Sequence, residues 1–427
     1  MKKNKIAMTI KLGLLMACVV LVAFAGGIFD GFFSPASKDK GVTISQEEYA
    51  LLQKYAKMEE VFQYVEAYYY QEPNREQMME LAIQGMLAGL EDPYTFYYNN
   101  EAWKALWEDD EGKYAGIGIQ ILGDFRDGSV TVTRLFKGSP AADVGLHKGD
   151  LLIRVEELGV DAFTMQEAVD IMRGTPGEMV EIEVDRKGEK ITFNVPRAEI
   201  TVNWTDHKML PDNVGYIALY EFSGDCTEKI EIALEELIAK GATSLILDLR
   251  DNHGGWVDDA IGIADFFVDR QELFYRQGRD GSKVRAYTED GKIDLPLVVL
   301  VNESSASASE IVSGGLQEQK RATVVGQTTY GKGVVQAVVP LMGNDDGIQL
   351  TTEEYFFPSG TKVHEVGVTP DIFVTMPEEM MNVYLETGDL SDPQVQKALE
   401  TAVALREGTP LPTSEPMTVE TTENIKE

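Results

Sequence analysis

The chain has 427 residues, of which 44% are hydrophobic and 26% are charged. These values are typical of a globular protein, and the length allows two or three domains. Lys and Arg number 38 against 71 Asp and Glu, so the formal net charge is -33. This charge repels nucleic acid and anionic lipid surfaces, which excludes a nucleic-acid-binding function. Cys18 lies in an apolar run far from Cys226, so we expect no intramolecular disulfide, and no Cys/His cluster suggests zinc.

The N-terminus has the pattern of a membrane-directed segment. Four lysines precede an uncharged run over residues 12–29: Lys2, Lys3, Lys5 and Lys11. The run is long enough for one spanning helix, and the positive residues before it place the rest of the chain outside the cytoplasm. Ala23-Phe24-Ala25 also resembles a signal-peptidase site, while Leu15-Met16-Ala17-Cys18 is a weak match to a lipoprotein box. We predict an uncleaved signal-anchor over 1–30 and a linker over 31–44, with cleavage and secretion as the alternative.

Residues 45–111 are predicted to form a helical arm. Ser45 and Glu48 are typical of a helix start. Apolar residues then recur at helical spacing: Leu51, Leu52, Tyr55, Met58, Val61, Phe62 and Val65. A second helix is predicted near residues 75–90. The apolar stripe needs a partner surface, which is either the rest of this chain or a second arm in a homodimer.

Short strands and turns replace the helical pattern over residues 112–197. The predicted strands cover 116–122, 130–135, 151–155, 180–185 and 190–195, and one helix begins at a predicted capping box of Thr164 and Glu167. Three segments resemble those of a PDZ domain: Tyr114-Ala115-Gly116-Ile117-Gly118, Gly138-Ser139-Pro140-Ala141-Ala142, and residues 145–152. The resemblance implies a β-rich module that binds a protein's C-terminal tail as an added strand. The tail's carboxylate would then lie on N–H groups at Gly116, Ile117 and Gly118.

Strands and helices alternate over residues 198–376. A strand over 215–220, a helix from Asp225 to Gly241 with a predicted Asp225/Glu228 capping box, and a buried strand over 245–249 predict a βαβ unit. Residues 297–301 predict another buried strand. Beyond it we predict a C-terminal helical segment over 377–407. The tail over 408–427 is rich in Thr, Pro and Glu and is predicted to be disordered.

The segment Val301–Ile311 places a run of Ser and Ala between a buried strand and a helix. Small residues let a substrate carbonyl approach the backbone, and a helix N-terminus offers unpaired N–H groups to an oxyanion. The setting therefore favours a serine nucleophile. On spacing and composition alone, an ordinary Ser-rich helix cap is the alternative.

A second segment, Thr329–Gln336, places Lys332 between two glycines ahead of an apolar strand. The glycines allow a tight bend that brings the amine close to another backbone. A lysine acts as a base only when neutral, so burial must lower its pKa from about 10.4 by about three units. A solvated loop lysine is the alternative interpretation.

Five segments in order resemble the carboxyl-terminal processing (tail-specific) serine peptidases of family S41 over about residues 45–400. The segments are residues 89–95, residues 248–255 with Gly254-Gly255, the Ser305–Glu310 run, Gly331-Lys332-Gly333 with Gln336, and residues 367–371. The resemblance implies an α/β multidomain protein with an N-terminal membrane anchor, a helical arm, a PDZ-like β-rich module and an α/β (ββα-type) S41 protease core over 198–376.

The resemblance also implies the roles of individual residues. Ser307 would be the nucleophile, Lys332 the general base, and Gln336 the residue that orients the lysine amine. The oxyanion hole would use the N–H of Ala308 and of Gly254 or Gly255, two alternatives that the sequence leaves open. The implied reaction is peptide hydrolysis through an acyl-enzyme, without a cofactor or metal, on proteins with free apolar C-termini. The catalytic part would be extracytoplasmic, on a single-pass membrane anchor.

Three alternatives remain at this level. His253 stands where relatives commonly have proline, which permits a rival dyad of Ser307 with His253, oriented by Asp248. The chain could also be an anchored PDZ adaptor with a catalytically inactive core, although the presence of Ser307, Lys332 and Gln336 argues against this. Acyl transfer to an ester or amine is the third alternative, and no acceptor pocket is evident for it.

Overall fold

The computed structural model of the chain describes residues 45–414, except 111, 124–126, 137, 292, 344, 378–379 and 381–386. The predicted anchor (1–30), the predicted linker and the tail beyond 414 lie outside these described residues. Among the described residues, no helix combines the length and the apolar composition needed to cross a membrane. The chain divides into two units, Met1–Trp103 with Val338–Leu350, and Lys104–Ala337 with Thr351–Glu427.

The first unit contains the predicted helical arm, built from α1 (Gln46–Tyr68) and α2 (Arg75–Ala88). The predicted cap of α1 is confirmed, because the Ser45 hydroxyl accepts the Glu48 N–H at 3.1 Å and the Glu48 carboxylate accepts the Ser45 N–H at 2.7 Å. A short strand, β1 (Phe96–Tyr98), was not predicted. It pairs antiparallel with the first residues of strand Gly347–Phe356, which lies far along the chain. Helix α3 (Asn100–Asp110) follows it.

The second unit begins within α3 and continues with the β-rich module. Its elements are β2 (Lys113–Gly116), β3 (Ile119–Gly123), β4 (Val130–Leu135), α4 (Pro140–Val144), β5 (Leu151–Val155), β6 (Leu158–Gly159), α5 (Met165–Met172), β7 (Met179–Arg186), β8 (Glu189–Pro196) and β9 (Ala198–Thr201). The sheet order is β3-β4-β5-β7-β8, with β6 beside β5 and a separate β2-β9 pair. Apolar side chains at alternate positions, such as Val130 and Val132, fill the interior. Strand β3 lies at the sheet edge, where an added strand can pair with it.

Two predicted capping boxes are wrong. The helices do begin after Thr164 and Asp225, but neither residue's side chain caps its helix. The Thr164 hydroxyl instead takes part in the preceding turn, where it accepts the Asp161 N–H at 2.9 Å. Turn formation therefore competes with capping for the same hydroxyl.

The α/β core follows the β-rich module. Its elements are β10 (Thr205–Leu210), β11 (Val214–Leu219), α6 (Cys226–Ala239), β12 (Ser244–Asp248), α7 (Val257–Asp265), β13 (Glu272–Gly278), β14 (Lys283–Tyr287), β15 (Leu297–Val301), α8 (Ala308–Glu318), β16 (Ala322–Gly326), β17 (Val334–Pro340), β18 (Gly347–Phe356), β19 (Ile372–Phe373) and α9 (Pro393–Glu407). The main sheet has the order β10-β11-β12-β15-β16-β19, and only its β10-β11 pair is antiparallel. The predicted βαβ unit is confirmed by the parallel pairing of β11 with β12.

Both faces of the main sheet are covered. Helices α6, α7 and α8 pack on one face, for example through Leu234, Ile263 and Ile311. Helix α9 packs on the other through Val395 and Ala398. Because a parallel sheet buried on both faces favours apolar residues throughout, β15 and the centre of β12, Leu245–Leu247, are continuous hydrophobic runs. The turns that follow β12, β15 and β16 meet at one edge of this sheet, the usual place for a ligand site.

Candidate active site

Ser307 lies between β15 and α8, immediately before the first residue of the helix. Its backbone has φ 57 and ψ -113, a conformation that costs a non-glycine residue about 1–3 kcal/mol. The Ala308 N–H, which begins the helix, donates to no acceptor in the described part of the chain. The turn therefore presents a strained serine beside an unpaired N–H group at the positive end of a helix.

The two flanking serines have structural partners. Ser305 and Ser309 are fully buried. The Ser305 hydroxyl donates to the Leu249 carbonyl at 2.8 Å, and the Ser309 hydroxyl donates to the Asn252 carbonyl at 2.8 Å. These bonds fasten the serine turn to the turn that follows β12. Ser307, by contrast, is only partly buried, which distinguishes it from its neighbours.

The turn after β12 brings two glycines to the serine. A side chain on Gly254 would lie 2.7 Å from Ser307 Cβ and 2.9 Å from the Ala308 nitrogen, so only glycine fits there. The Gly254 N–H donates to the Asn252 side-chain oxygen at 2.9 Å. The Gly255 N–H has no acceptor within the described ranges. Of the two alternatives for the second oxyanion donor, Gly255 therefore has the unpaired N–H group.

An ion pair links the β-rich module to the turn that follows β12. Lys148, between α4 and β5, forms a salt bridge with Asp251. Asp251 also forms two hydrogen bonds with Asn302 in the serine turn, through its N–H at 3.0 Å and its carboxylate at 2.8 Å. Burial would raise the pKa of Asp251, but the Lys148 ammonium, Asn302 and Arg250 lower it to about 2.

Glu310, on the first turn of α8, binds both the serine turn and the Lys332 segment. One carboxylate oxygen accepts the N–H of Ser307 at 2.8 Å and the N–H of Lys332 at 2.9 Å. The other accepts the Gly331 N–H at 2.7 Å and the Thr329 hydroxyl at 2.5 Å. Burial raises the pKa of this fully buried carboxyl, while these four donors act in the opposite direction. The structure thus brings Ser307 and Lys332 together through a shared carboxylate.

Lys332 lies two residues before β17, and Gln336 is the third residue of that strand. The β17–β18 pairing and the bond from the Tyr355 N–H to the Gly333 carbonyl, at 2.9 Å, fix this segment. The Gln336 amide nitrogen donates to the Thr351 hydroxyl at 3.2 Å. The amide oxygen of Gln336 remains the acceptor that a lysine ammonium could use.

His253 and Asp248 do not form the arrangement of the rival dyad. The His253 Nδ1 is 3.1 Å from the Ser304 carbonyl, and its buried Nε2 has no partner among the described residues. Asp248 instead accepts the Arg250 guanidinium at 2.6 Å and the Tyr216 hydroxyl. Burial lowers the pKa of His253, against the opposing effects of Asp251 and the Ser304 carbonyl. The histidine therefore has neither an orienting carboxylate nor a bond to Ser307.

The predicted peptide-binding loop lies between β2 and β3. The Ile117 carbonyl accepts the Ala141 N–H and the Gly118 carbonyl accepts the Phe136 N–H, both at 3.0 Å. A side chain on Gly118 would lie 2.4 Å from Ser139 Cβ. Within the described ranges, the N–H groups of Ile117 and Gly118 have no acceptor. The loop thus has carbonyl groups bound and N–H groups available to an anion.

Sequence reasoning missed the structural roles of Glu310, Asn252 and Asp251. Glu310 follows Ser307 at the three-residue spacing of a capping box, a signal that would have marked it. Asn252 and Asp251 carry no such signal, because their partners come from other segments. Their roles depend on the fold.

Comparisons with known proteins agree with this architecture. The sequence profile of peptidase family S41 matches residues 213–374, that of the PDZ domain matches 106–185, and that of the N-terminal domain of the activating protease CtpB matches 25–102. A carboxy-terminal-processing protease of Bartonella bacilliformis is 33% identical over 75% of this chain and 75% of its own length. Carboxy-terminal processing protease CtpB of Bacillus subtilis is 34% identical over 75% of this chain and 68% of its own length.

A solved structure also resembles this chain. The photosystem II D1 C-terminal processing protease has a TM-score of 0.59 and 28% identity, over 79% of this chain and 89% of that one. Together the fold, the serine turn and these relatives define a serine peptidase with a PDZ domain. The chain belongs to the carboxy-terminal processing proteases of peptidase family S41.

Proposed function

We propose that this protease is an extracytoplasmic, membrane-anchored endopeptidase that recognises apolar protein tails and cuts by a Ser-Lys mechanism. The observation that carries the catalytic part is the shared Glu310 oxygen, which accepts the N–H groups of both Ser307 and Lys332. A single buried carboxylate thus holds the two segments in register. The same segments supply the nucleophile and the base in the proposed mechanism.

In the proposed reaction, the neutral Lys332 amine takes the Ser307 hydroxyl proton as the oxygen attacks the scissile carbonyl. The N–H groups of Ala308 and Gly255 stabilise the resulting oxyanion. The Lys332 ammonium, held by the Gln336 amide oxygen, then protonates the leaving amine. Water, activated by the same amine, releases the acyl group from Ser307.

The PDZ domain would supply recognition. A C-terminal tail would add to the free edge of β3, with its carboxylate on the available N–H groups of Ile117 and Gly118, beside Gly116. The unpaired N–H groups of this loop support the assignment. Affinity for the tail would thus reside in one domain and bond cleavage in another.

Anchoring and assembly complete the proposal. The basic residues before the apolar run at 12–29 support an N-terminal anchor with the protease outside the cytoplasm. In the first unit, α1 and α2 expose many large apolar side chains: Tyr49, Tyr55, Val61, Tyr64, Tyr68, Leu81 and Met86. Because exposed apolar surface of this extent marks interaction sites, we propose that two arms pair in a homodimer.

The test uses two peptides that are identical except at the C-terminus, one with a free carboxylate and one amidated. Amidation removes a charge and an acceptor, so we expect cleavage efficiency to fall by about 10- to 150-fold, the equivalent of about 1.5–3 kcal/mol. The Ser307→Ala variant should cleave neither peptide. Equal cleavage of both peptides would contradict tail recognition. Tail-dependent binding without any cleavage by the parent protein would favour the adaptor alternative.

A further inference from the structure

Two largely exposed apolar side chains lie beside the Lys332 segment. Tyr330 is 60% exposed and Val366 is 58% exposed. The Tyr330 N–H donates to the Ser305 carbonyl at 3.0 Å, which fixes its backbone to the serine turn. Its ring makes no hydrogen bond or ring contact within the described ranges of the chain. The backbone is therefore held by the site while the ring faces solvent.

Val366 lies on a tight loop that packs against Gly331. The N–H of Glu365, the residue before Val366, donates to the Gly331 carbonyl at 2.8 Å. The Val366 N–H donates to the Val363 carbonyl at 3.0 Å, and a side chain on Gly331 would lie 3.0 Å from the Val366 nitrogen. The Val366 backbone is thus in contact with the residue between Tyr330 and Lys332.

Single exposed apolar residues are common on protein surfaces and need no explanation. This pair differs because both residues lie next to Gly331, the neighbour of Lys332: Tyr330 precedes it in the chain, and the Val366 backbone packs against it. The Tyr330 N–H is also bonded to the serine turn. Exposed apolar side chains that lie directly beside the proposed catalytic residues are in a position to contact the substrate.

We propose that Tyr330 and Val366 form the apolar wall of a subsite that binds a substrate side chain next to the scissile bond. This inference rests on the proposed roles of Ser307 and Lys332. A substrate with a large apolar residue there would bury it against the two side chains, whereas alanine would make little contact. The pair would therefore set the preference among substrates and not the chemistry itself.

The test compares Tyr330→Ala and Val366→Ala variants of the full chain on peptides with the same free apolar tail. The peptides carry Leu, Ala or Asp on either side of the cleaved bond. We expect kcat/KM for the Leu peptide to fall by about 10- to 100-fold, while the Ala peptide changes by less than about threefold. Tyr330→Phe should keep the Leu preference, because the Tyr330 hydroxyl has no hydrogen bond in the described structure.

Matched controls are Tyr287→Ala on β14 and Ile238→Ala on α6, which are 53% and 43% exposed. Neither should change the Leu-to-Ala ratio. An unchanged ratio in the Tyr330→Ala and Val366→Ala variants, or an equal fall for both peptides, would overturn the subsite. A variant that also loses labelling by a small fluorophosphonate would count against it as well, since the residue would then support the site's fold. Failure of the parent protein to be labelled at Ser307 would instead refute the proposed function.

Discussion

The PDZ domain and the protease core bury polar groups very differently. Among the described residues 113–201, only Ser139 and Asp150 are buried polar side chains. The core buries many more, most of them near the edge that carries the site: Asp248, Asn252, Ser305, Ser309, Glu310, Thr329, Asp392 and Gln394. A groove that binds a peptide backbone through main-chain groups can be supported by a packed apolar interior with few buried polar side chains. A site that holds a strained serine next to a lysine needs directed bonds.

The buried polar groups of the core are costly unless all are bonded. Their bonds join separate turns, as when Asn252 accepts from Ser309 and Gly254 and donates to the Leu219 carbonyl at 2.9 Å. Apolar residues of similar size would fill the same space without fixing its geometry. The comparison therefore indicates that the core accepts a cost in stability near its site, where buried polar groups fix the positions of the turns.

Among residues outside the proposed Ser-Lys pair, the largest effect is expected at Glu310, where one carboxylate accepts four hydrogen bonds. Glu310→Gln replaces one acceptor oxygen with an N–H donor that faces other donors. We expect kcat to fall at least about 100-fold, and the free energy of unfolding to fall by about 2–4 kcal/mol. Peptide hydrolysis and urea unfolding measure the two effects.

Glu318→Gln is the control for Glu310→Gln. Glu318 lies on the same helix, but its carboxylate accepts from Ser359 at the surface. We expect nearly parental activity from this variant. Parental activity in Glu310→Gln would show that the shared carboxylate does not position the serine turn and the Lys332 segment for catalysis.

The pH dependence of kcat/KM distinguishes a lysine base from a histidine base. Burial lowers the pKa of His253 from its ordinary value of 6.5, so a histidine base would be fully neutral above pH 7 and the rate would be flat there. A lysine base must first lose its proton. We therefore expect kcat/KM to rise by up to about tenfold per pH unit from neutral toward alkaline pH. His253→Pro should keep this rise, whereas a plateau from pH 7 that disappears in His253→Pro would contradict the lysine assignment.

The flanking serines should give smaller effects. Ser309→Ala removes the bond to the Asn252 carbonyl, while Ser305→Ala removes the bond to the Leu249 carbonyl and the acceptor of the Asn302 N–H. We expect a loss of about 0.5–1.5 kcal/mol in unfolding free energy for each bond, and measurable turnover in both variants. Ser313→Ala, which removes a bond to the Ser309 carbonyl within the helix, is the control. Complete inactivity of Ser305→Ala in a folded protein would indicate that Ser305, and not Ser307, is the nucleophile.

Local pattern was enough to predict much of the fold. The predicted strands over 130–135, 151–155 and 297–301 coincide with β4, β5 and β15, because alternating or continuous apolar runs are local signals. Strand β1 could not be predicted, since its partner at Gly347 is far along the chain. Glu310 illustrates the same limit at the site, where its four donors come from two segments that only the fold brings together. The assignments of Ser307, Lys332 and Gln336 stay predictions.

The smallest effect is expected where the two domains meet, at Lys148 and Asp251. The pKa of Asp251 is about 2, below its ordinary 3.8, so its stabilising contribution is present above pH 3.8 and is lost as pH falls toward 2. Lys148→Met removes the strongest of the groups that oppose burial and leaves only Asn302 and Arg250, so the loss moves to higher pH. About one third of each side chain is exposed, so we expect a cost of about 1 kcal/mol at pH 7.

Urea unfolding of the Lys148→Met variant at pH 3 and pH 7 measures this shift. Lys190→Met is the control, since Lys190 pairs with Glu183 only at 3.7 Å and is 70% exposed. Identical pH dependence in the parent and Lys148→Met would show that the ion pair does not hold Asp251 ionised.

Labelling by a fluorophosphonate tests most directly whether Ser307 is the nucleophile and Lys332 its base. The reagent is added to the parent protein and to the Ser307→Ala, Lys332→Ala and His253→Pro variants, and the labelled residue is identified by mass spectrometry of peptides. We predict a label on Ser307 alone, absent in Ser307→Ala, lost or at least about 100-fold slower in Lys332→Ala, and largely retained in His253→Pro. A label on Ser305 or Ser309, or labelling that persists in Lys332→Ala but is lost in His253→Pro, would contradict the Ser-Lys assignment.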